Sequence, residues 1–281
     1  MIARIRKNEE LTSGYFLVDI EAEGIGLHEA GRPAAGRPAV PGQFYMLKVG
    51  QSTDPLLRRP LSLHRKLTDD SVRFLYRQSG RGTALLSRLI PGDELDVLGP
   101  LGNGFPIPTG IKHALIVGGG IGVAPLMALA DYISDERQDI TAAAFIGGRS
   151  REYVLGADEF RRKRIETFTA TEDGSLPRKG LITHVLDDYI REHMRKDACG
   201  RSTVCGWAVY SCGPKAMLIS VAAMAKKYGI KNYTSMESNM ACGIGACMGC
   251  VISVLDGGNG SSVYKKVCDD GPVFDADDII W

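Results

Sequence analysis

ALIVGGGIGVAP (Ala114–Pro125) sets a short apolar run directly against a cluster of glycines. Four apolar residues ended by glycine read as a buried strand. The residues that follow, with Leu126, Met127, Leu129, Ala130 and Ile133 at helical spacing, read as an amphipathic helix. A tight turn from strand to helix is where backbone N–H groups and the helix dipole can hold a phosphate. From Gly120 the pattern is G-x-G-x-x-P, with Pro125 where the dinucleotide fingerprint has its third glycine. Proline is acceptable in the first turn of a helix. Gly118, Gly119, Gly120 and Gly122 are therefore candidate nucleotide-binding residues, with a purely structural turn as the alternative.

Downstream the texture alternates. TAAAFIGG (141–148), IETFTAT (165–171) and WAVYSCGP (207–214) read as strands, and GLITHVLDDYIREHM (180–194) and KAMLISVAAMAKKYG (215–229) as helices. That alternation predicts a parallel sheet with crossover helices. Cys212, Gly213 and Pro214 close the last of these strands, and ligands bind at the strand ends of such sheets. No acidic reader of an NAD ribose stands out. Arg149 and Arg151 after the second strand fit a 2′-phosphate or a solvated surface, and Glu172 and Asp173 after the third fit a ribose, so NAD and NADP stay open.

Upstream, residues 1–102 read differently. YFLVDIEA, QFYMLKV and SVRFLYRQ are short runs of β-branched and aromatic residues separated by turn formers, and IPGDELDVLGPLG reads as a turn and a closing strand. Strands at this spacing predict a small antiparallel barrel. GIGLHEAGRPAAGRPAVPG (24–42) reads as an exposed Gly/Pro-rich loop, and NGFPIPTGIKH as a linker. Within the barrel, Arg59, Pro60, Leu61 and Ser62 open a strand; the arginine offers a fixed fork for phosphate or flavin oxygen, or belongs with Arg58 to a solvated pair. Gly82-Thr83 ahead of ALLSRL reads as a helix start suited to an anion.

The third texture begins near Ser235. Cys242, Cys247 and Cys250 follow the spacing C-x4-C-x2-C, and Cys268 follows after seventeen intervening residues. This is the plant-type [2Fe–2S] spacing. Two irons need four converging thiolates, so a tight loop supplies three and a returning hairpin, VISVLDGGNGSSVYKKV, supplies one. Structural zinc usually takes paired C-x2–4-C units, and one C-x2-C pair is present; unrelated buried thiols are the remaining alternative. Cys199 and Cys205 read as plain free thiols in a loop.

The bulk properties agree with an intracellular redox protein. The chain has 281 residues, enough for two or three domains of ~100–200 residues each. A net charge of +1 gives no reason to expect nucleic acid or an anionic membrane as partner. MIARIRKNEE holds no signal-peptide core, and no apolar run approaches the ~20 residues of a membrane span, so a cytoplasmic location is expected. Seven cysteines, four of them in the last 40 residues, suit metal or redox chemistry better than a secreted disulfide framework.

Together, R-P-L-S, G-T, the glycine loop and C-G-P resemble the ferredoxin reductase-type flavoproteins. The tail, MESNMACGIGACMGC followed by YKKVCDDGPVF, resembles more narrowly the electron-transfer subunits of NAD-linked (class B) dihydroorotate dehydrogenases, and the likeness spans essentially the whole chain. It implies an α+β multidomain protein: an antiparallel β-barrel FAD domain (1–102), an α/β parallel-sheet NAD domain (103–234) and a small C-terminal [2Fe–2S] domain (235–281). It implies that Arg59, Pro60, Leu61 and Ser62 hold FAD, that Tyr76, Arg77 and Gln78 line it, and that Gly82 and Thr83 take its pyrophosphate. Cys242, Cys247, Cys250 and Cys268 would hold the cluster, and the Gly118–Pro125 loop with Cys212–Pro214 would face the nicotinamide nucleotide. An FMN-containing catalytic subunit would oxidise dihydroorotate, with electrons passing through the cluster and FAD to NAD+, in a heterotetramer serving pyrimidine biosynthesis. The same module serving a hydrogenase or transhydrogenase-type partner is the alternative. GLHEAGRPAAGRP and EHMRKDACGRSTVCG read as insertions, and Trp281 as packing or interface.

Overall fold

The computed structural model describes residues 1–27, 36, 38–50, 53–196, 202–256 and 260–281. The chain divides into two compact units, Met1–Gly104 with Met236–Val273, and Phe105–Ser235 with Phe274–Trp281.

Six strands build the barrel of the first unit: β1 (Ile2–Thr12), β2 (Tyr15–Glu21), β3 (Phe44–Lys48), β4 (Arg59–Thr68), β5 (Ser71–Arg77) and β6 (Glu94–Leu101). They close in the order β1-β2-β5-β4-β3-β6, every neighbouring pair antiparallel. Closure removes the exposed strand edges that invite aggregation. Val18, Ile20, Leu47, Leu63, Val72 and Phe74 are buried in it, and the Tyr45 hydroxyl donates to the Ile25 carbonyl at 2.7 Å. A short helix, α1 (Arg81–Leu86), follows β5. β1 carries little sequence signal because only Ala3 and Ile5 are fully buried along eleven mostly polar residues.

The second unit contains β7 (His113–Gly119), α2 (Val123–Glu136), β8 (Thr141–Gly148), α3 (Ala157–Arg162), β9 (Glu166–Thr171), α4 (Ile182–His193), a ribbon of β10 (Arg195–Lys196) and β11 (Ser202–Thr203), β12 (Trp207–Cys212), α5 (Lys215–Tyr228) and β13 (Lys231–Ser235). The sheet runs β13-β12-β7-β8-β9, all parallel. The chain walks outward from β7 to β9, then returns to the other side of β7, so β7 and β12 flank a topological switch point. Gly229 ends α5 in the left-handed region at φ 69°, as the stop after KAMLISVAAMAKKY predicts. Leu126, Met127, Leu129, Ala130 and Ile133 of α2 are all buried. Across the sheet, Phe145 stacks on Phe168 with centroids 5.1 Å apart and meets Tyr189 edge-on at 5.2 Å. Phe145→Ala is expected to destabilise this unit by about 3–5 kcal/mol, read as a lowered denaturant midpoint.

The segment after Ser235 returns to the barrel. Met236 N–H donates to the Pro272 carbonyl at 2.8 Å, Asn103 N–H to Gly271 at 2.6 Å, and the Asn103 side chain to the carbonyls of Asp269 and Asp270 at 3.0 and 3.1 Å. Asn103, just past the end of β6, thus ties down the turn after Cys268. β14 (Val251–Leu255) and β15 (Ser262–Lys266) form the expected antiparallel hairpin, with Val251 opposite Lys266. β16 (Val273–Asp275) takes the sheet edge beside β13, where Ala276 N–H donates to the Asn232 carbonyl at 2.8 Å. Cys199 and most of the 26–38 excursion lie outside the described residues. Among the described residues no helix is long and apolar enough to cross a membrane.

Candidate functional site

The cysteine loop carries Cys242, Cys247 and Cys250 without regular secondary structure, and the hairpin delivers Cys268 just beyond β15. Cys250 and Cys268 are each only 2% exposed, while Cys242 and Cys247 are half-buried, and none of the four forms a disulfide. Backbone amides point at the sulfurs: Gly245 N–H donates to Cys268 Sγ at 3.2 Å and Cys247 N–H to Cys242 Sγ at 3.4 Å. The Ile244 amide, helped by those of Cys247 and Ala246, pulls the Cys242 thiol down to about 6. Burial, then the neighbouring Cys250 thiol, pushes Cys268 up to about 12. A metal binds a thiol by displacing its proton, so amide donors that favour the thiolate also favour a metal there.

The loop has no slack. A Cβ on Gly243 would lie 2.6 Å from Met46 Cγ, and one on Gly245, at φ +77°, 2.6 Å from the Asp269 carboxylate. Among the described residues no group of three or more His, Cys, Asp or Glu side chains is set to hold a single metal ion. A binuclear cluster makes a different demand, two thiolates on each of two irons. Four thiolates are a donor set that iron–sulfur centres and structural zinc both take.

On the barrel, Arg59 and Pro60 begin β4, with Pro60 opposite Met46 and Ser62 opposite Phe44 of β3. The Arg59 guanidinium lies across Gly82, where any Cβ would overlap it, and donates to the Leu57 carbonyl. Arg58 points elsewhere, to the carbonyl of Asp96 at 2.8 Å and to its carboxylate. The Thr83 hydroxyl accepts from the amides of Ser79 and Gly80 at 2.9 and 3.2 Å and donates to the Gly80 carbonyl at 3.0 Å, fixing the turn into α1. Tyr76 turns inward: it is 1% exposed, stacks on Phe16 and donates to Asn8 Oδ1 at 3.0 Å. Arg77 and Gln78, at the end of the same run, are exposed.

In the second unit the glycine loop and the C-G-P turn meet at the switch point. Gly118 pairs with Cys212 across β7 and β12. A Cβ on Gly119 would lie 2.8 Å from Pro214 Cδ, and one on Gly122 would overlap the Cys212 carbonyl and lie 2.6 Å from Gly213 Cα. At Gly122 the two turns are thus packed backbone against backbone, with the Met217 side chain lying against Gly119 and Gly213. At the ends of β8 and β9, Arg151 N–H donates to Ser175 Oγ at 2.7 Å and its guanidinium to the Ser175 carbonyl at 2.9 Å. The Ser175 hydroxyl and amide donate to Asp173 at 2.7 and 2.9 Å and hold its carboxyl below the usual range. Arg151 and Asp173 are therefore engaged with one loop residue, whereas Arg149 and Glu172 are exposed. Met46, Lys266 and Asp269 escape sequence reading as site residues, because a core methionine and two charged residues near a cysteine carry no ligand signal of their own.

Residues 237–280 match the family described as the iron-sulfur cluster binding domain of dihydroorotate dehydrogenase B. The electron transfer subunit of dihydroorotate dehydrogenase B (NAD(+)) from Bacillus caldolyticus is 42% identical over 244 residues, covering 85% of this chain and 86% of that one. The subunit of the same description from Desulforamulus reducens is 34% identical over 252 residues, covering 89% and 90%. Among solved structures, an NADH-dependent reduced ferredoxin-NADP oxidoreductase superposes with a TM-score of 0.80 at 25% identity, covering 100% of this chain and 90% of that one. Phthalate dioxygenase reductase superposes at 0.61 with 17% identity, over 95% and 77%, a likeness of fold.

Proposed function

The chain belongs to the family of dihydroorotate dehydrogenase B (NAD(+)) electron transfer subunits, and from that membership we propose that it carries electrons from a partner subunit, which holds FMN and oxidises dihydroorotate, to NAD+. Residues 235–281 serve the [2Fe–2S] cluster through Cys242, Cys247, Cys250 and Cys268. Residues 1–102 seat FAD on Arg59–Ser62, Arg77, Gln78 and the Gly82-Thr83 turn, with Tyr76 supporting the seat from inside the barrel. Residues 103–234 seat the nicotinamide nucleotide on Gly118–Gly122 and Cys212–Pro214. When bound, the cluster supplies single-electron transfer and the flavin supplies the exchange between single electrons and the hydride that nicotinamide takes. Two copies of each subunit make a heterotetramer working in the reducing cytoplasm, where the four thiols stay free for iron.

The protein's own part is placement. Amides of the 242–250 loop stabilise thiolate sulfur, and burial of Cys250 and Cys268 keeps water from the sulfurs. The observation that carries the assignment is the seat of the loop: Gly243 rests on Met46, and Met46 is the register partner of Pro60 in R-P-L-S. Adjacent strands lie about 4.8 Å apart, so the cysteine loop and the proposed flavin anchor share one small patch of barrel.

The test is dihydroorotate-dependent NAD+ reduction by the chain with and without its co-expressed partner, beside the visible spectrum and iron content of protein purified without oxygen. Activity only in the presence of an FMN-bearing partner is expected. A colourless protein with bound zinc, or a partner without FMN and without dihydroorotate oxidation, would overturn the assignment. A second variant isolates the flavin seat. In Gly82→Ala the new methyl displaces the Arg59 guanidinium, which as a flexible side chain can move without unfolding the barrel. Losing a charged hydrogen bond of about 1.5–3 kcal/mol predicts an FAD Kd raised about 10–100-fold, measured by flavin fluorescence on reconstitution.

A further inference from the structure

The segment that delivers Cys268 also grips the opposite loop with charged side chains. Lys266 Nζ donates to the Gly245 carbonyl at 2.9 Å and pairs with Asp269 Oδ2 at 2.9 Å. The Asp269 carboxylate lies against Gly245, in the space a Cβ would need. The amide of that same Gly245 donates to Cys268 Sγ at 3.2 Å. One loop residue is thus held by residues 266, 268 and 269 together. The gripping turn is itself fixed: Lys266 N–H donates to Asp270 Oδ2 at 2.7 Å, and the Lys266 carbonyl accepts from the amides of Asp269 and Asp270 at 3.1 and 2.8 Å. Lys265 pairs with Asp270 from outside at 3.6 Å. Lys266 is the more sheltered member of its pair, its side chain 25% exposed against 54% for Asp269.

We propose that Lys266 and Asp269 are positioning residues for the cysteine centre, aiming the Gly245 amide at Cys268 and setting the local charge that governs how easily the centre is reduced, a role that rests on the [2Fe–2S] assignment above. Each works on a different part of the geometry. Lys266 anchors Gly245 through its carbonyl and puts a positive charge at the same residue whose amide donates to the sulfur. Asp269 holds the ammonium in place and offsets its charge. Reduction adds one negative charge at the centre, so a nearby cation favours it and an unpaired carboxylate opposes it.

The two side chains therefore predict shifts of opposite sign. Lys266→Met leaves Asp269 unpaired and lowers the midpoint potential, whereas Asp269→Asn leaves Lys266 unopposed and raises it. A tenfold change in the oxidised-to-reduced ratio at fixed potential, 59 mV for one electron, is the expected size of each shift. Lys266→Arg keeps the charge and returns the potential towards that of the unchanged protein. Lys266→Met also hastens loss of iron to a chelator about 10–100-fold. The measurements are redox titrations followed by the visible spectrum and by spin resonance of the reduced protein, with iron release timed separately. Shifts of the same sign, or no shift in either variant while the unchanged protein shows [2Fe–2S] bands, would overturn the proposal alone. Absence of those bands from the unchanged protein would overturn the cluster assignment and this role with it.

Discussion

Cys268→Ser is expected to remove the iron–sulfur bands and to drop partner-dependent NAD+ reduction to background, while FAD stays at one per chain. Cys268 is the one proposed ligand from outside the 242–250 loop, so without it the loop's three thiols would have no fourth partner to complete the second iron. Serine keeps the shape but offers a hard alkoxide in place of the soft thiolate that iron–sulfur centres select. It also stands in a buried position that faces the Gly245 amide and the Cys250 thiol. The proposed flavin seat is spared, because Arg59, Gly82 and Thr83 make their contacts within the barrel and α1. Iron and sulfide content, the FAD absorbance and NADH-driven reduction of an artificial dye separate the two centres. Dye reduction should persist, since it needs only nucleotide and flavin. Hydrogen exchange should rise in residues 242–250, where metal binding supplies much of the local folding energy, and stay low in the barrel strands. Retained dihydroorotate-dependent activity in this variant would exclude the cluster from the electron path.

Most of this architecture is legible in the chain because its local signals agree with its tertiary use. The β8 run TAAAFIGG is strand from end to end, and α5 stops at the glycine that its periodicity requires. The elements without a signal are short or polar. α3 has six residues, too few to display a helical period, and β13, KNYTS, has only five residues and alternates no apolar face. β13 is held instead by its neighbour β12 and by a buried polar group in which the Ser211 hydroxyl meets Asn232 at 3.0 Å and Thr234 at 2.9 Å.

The site is legible to a different degree. Cysteine spacing names four candidate ligands because the chemistry of the proposed cluster fixes their number, and glycines mark the approaches where a Cβ would collide. What spacing cannot convey is which neighbour a segment rests on. Composition changes at Ser235, yet residues 236–273 pack with the barrel and 274–281 with the sheet, because Asn103 captures one stretch and Asn232 the other. Tyr76 shows the same limit, since an aromatic at the end of a strand reads equally as a ligand contact or as core, and only Phe16 and Asn8 decide the direction of its side chain.

Gly122→Ala is expected to lower kcat/KM for NAD+ about 100-fold while leaving the flavin and iron–sulfur spectra unchanged. The alanine methyl would overlap the Cys212 carbonyl and lie 2.6 Å from Gly213 Cα, with backbone on every near side. No side-chain rotation relieves that collision, so β7's turn and β12's turn must separate. A displacement of about 1 Å at a positioning element costs on the order of a hundredfold in rate, and here the displaced elements are both halves of the proposed nucleotide seat. Gly120→Ala is the discriminating comparison. Gly120 also sits in the loop, at φ +54°, but a Cβ there meets nothing within 4 Å. Its penalty is backbone strain alone, about 1–2 kcal/mol, borne by the fold with the two turns still in register. A large loss in Gly122→Ala beside a small one in Gly120→Ala locates the nucleotide at the contact between the turns. Equal losses would mean that the loop acts only through its own conformation, and unchanged kinetics in both would move the nucleotide seat away from the switch point.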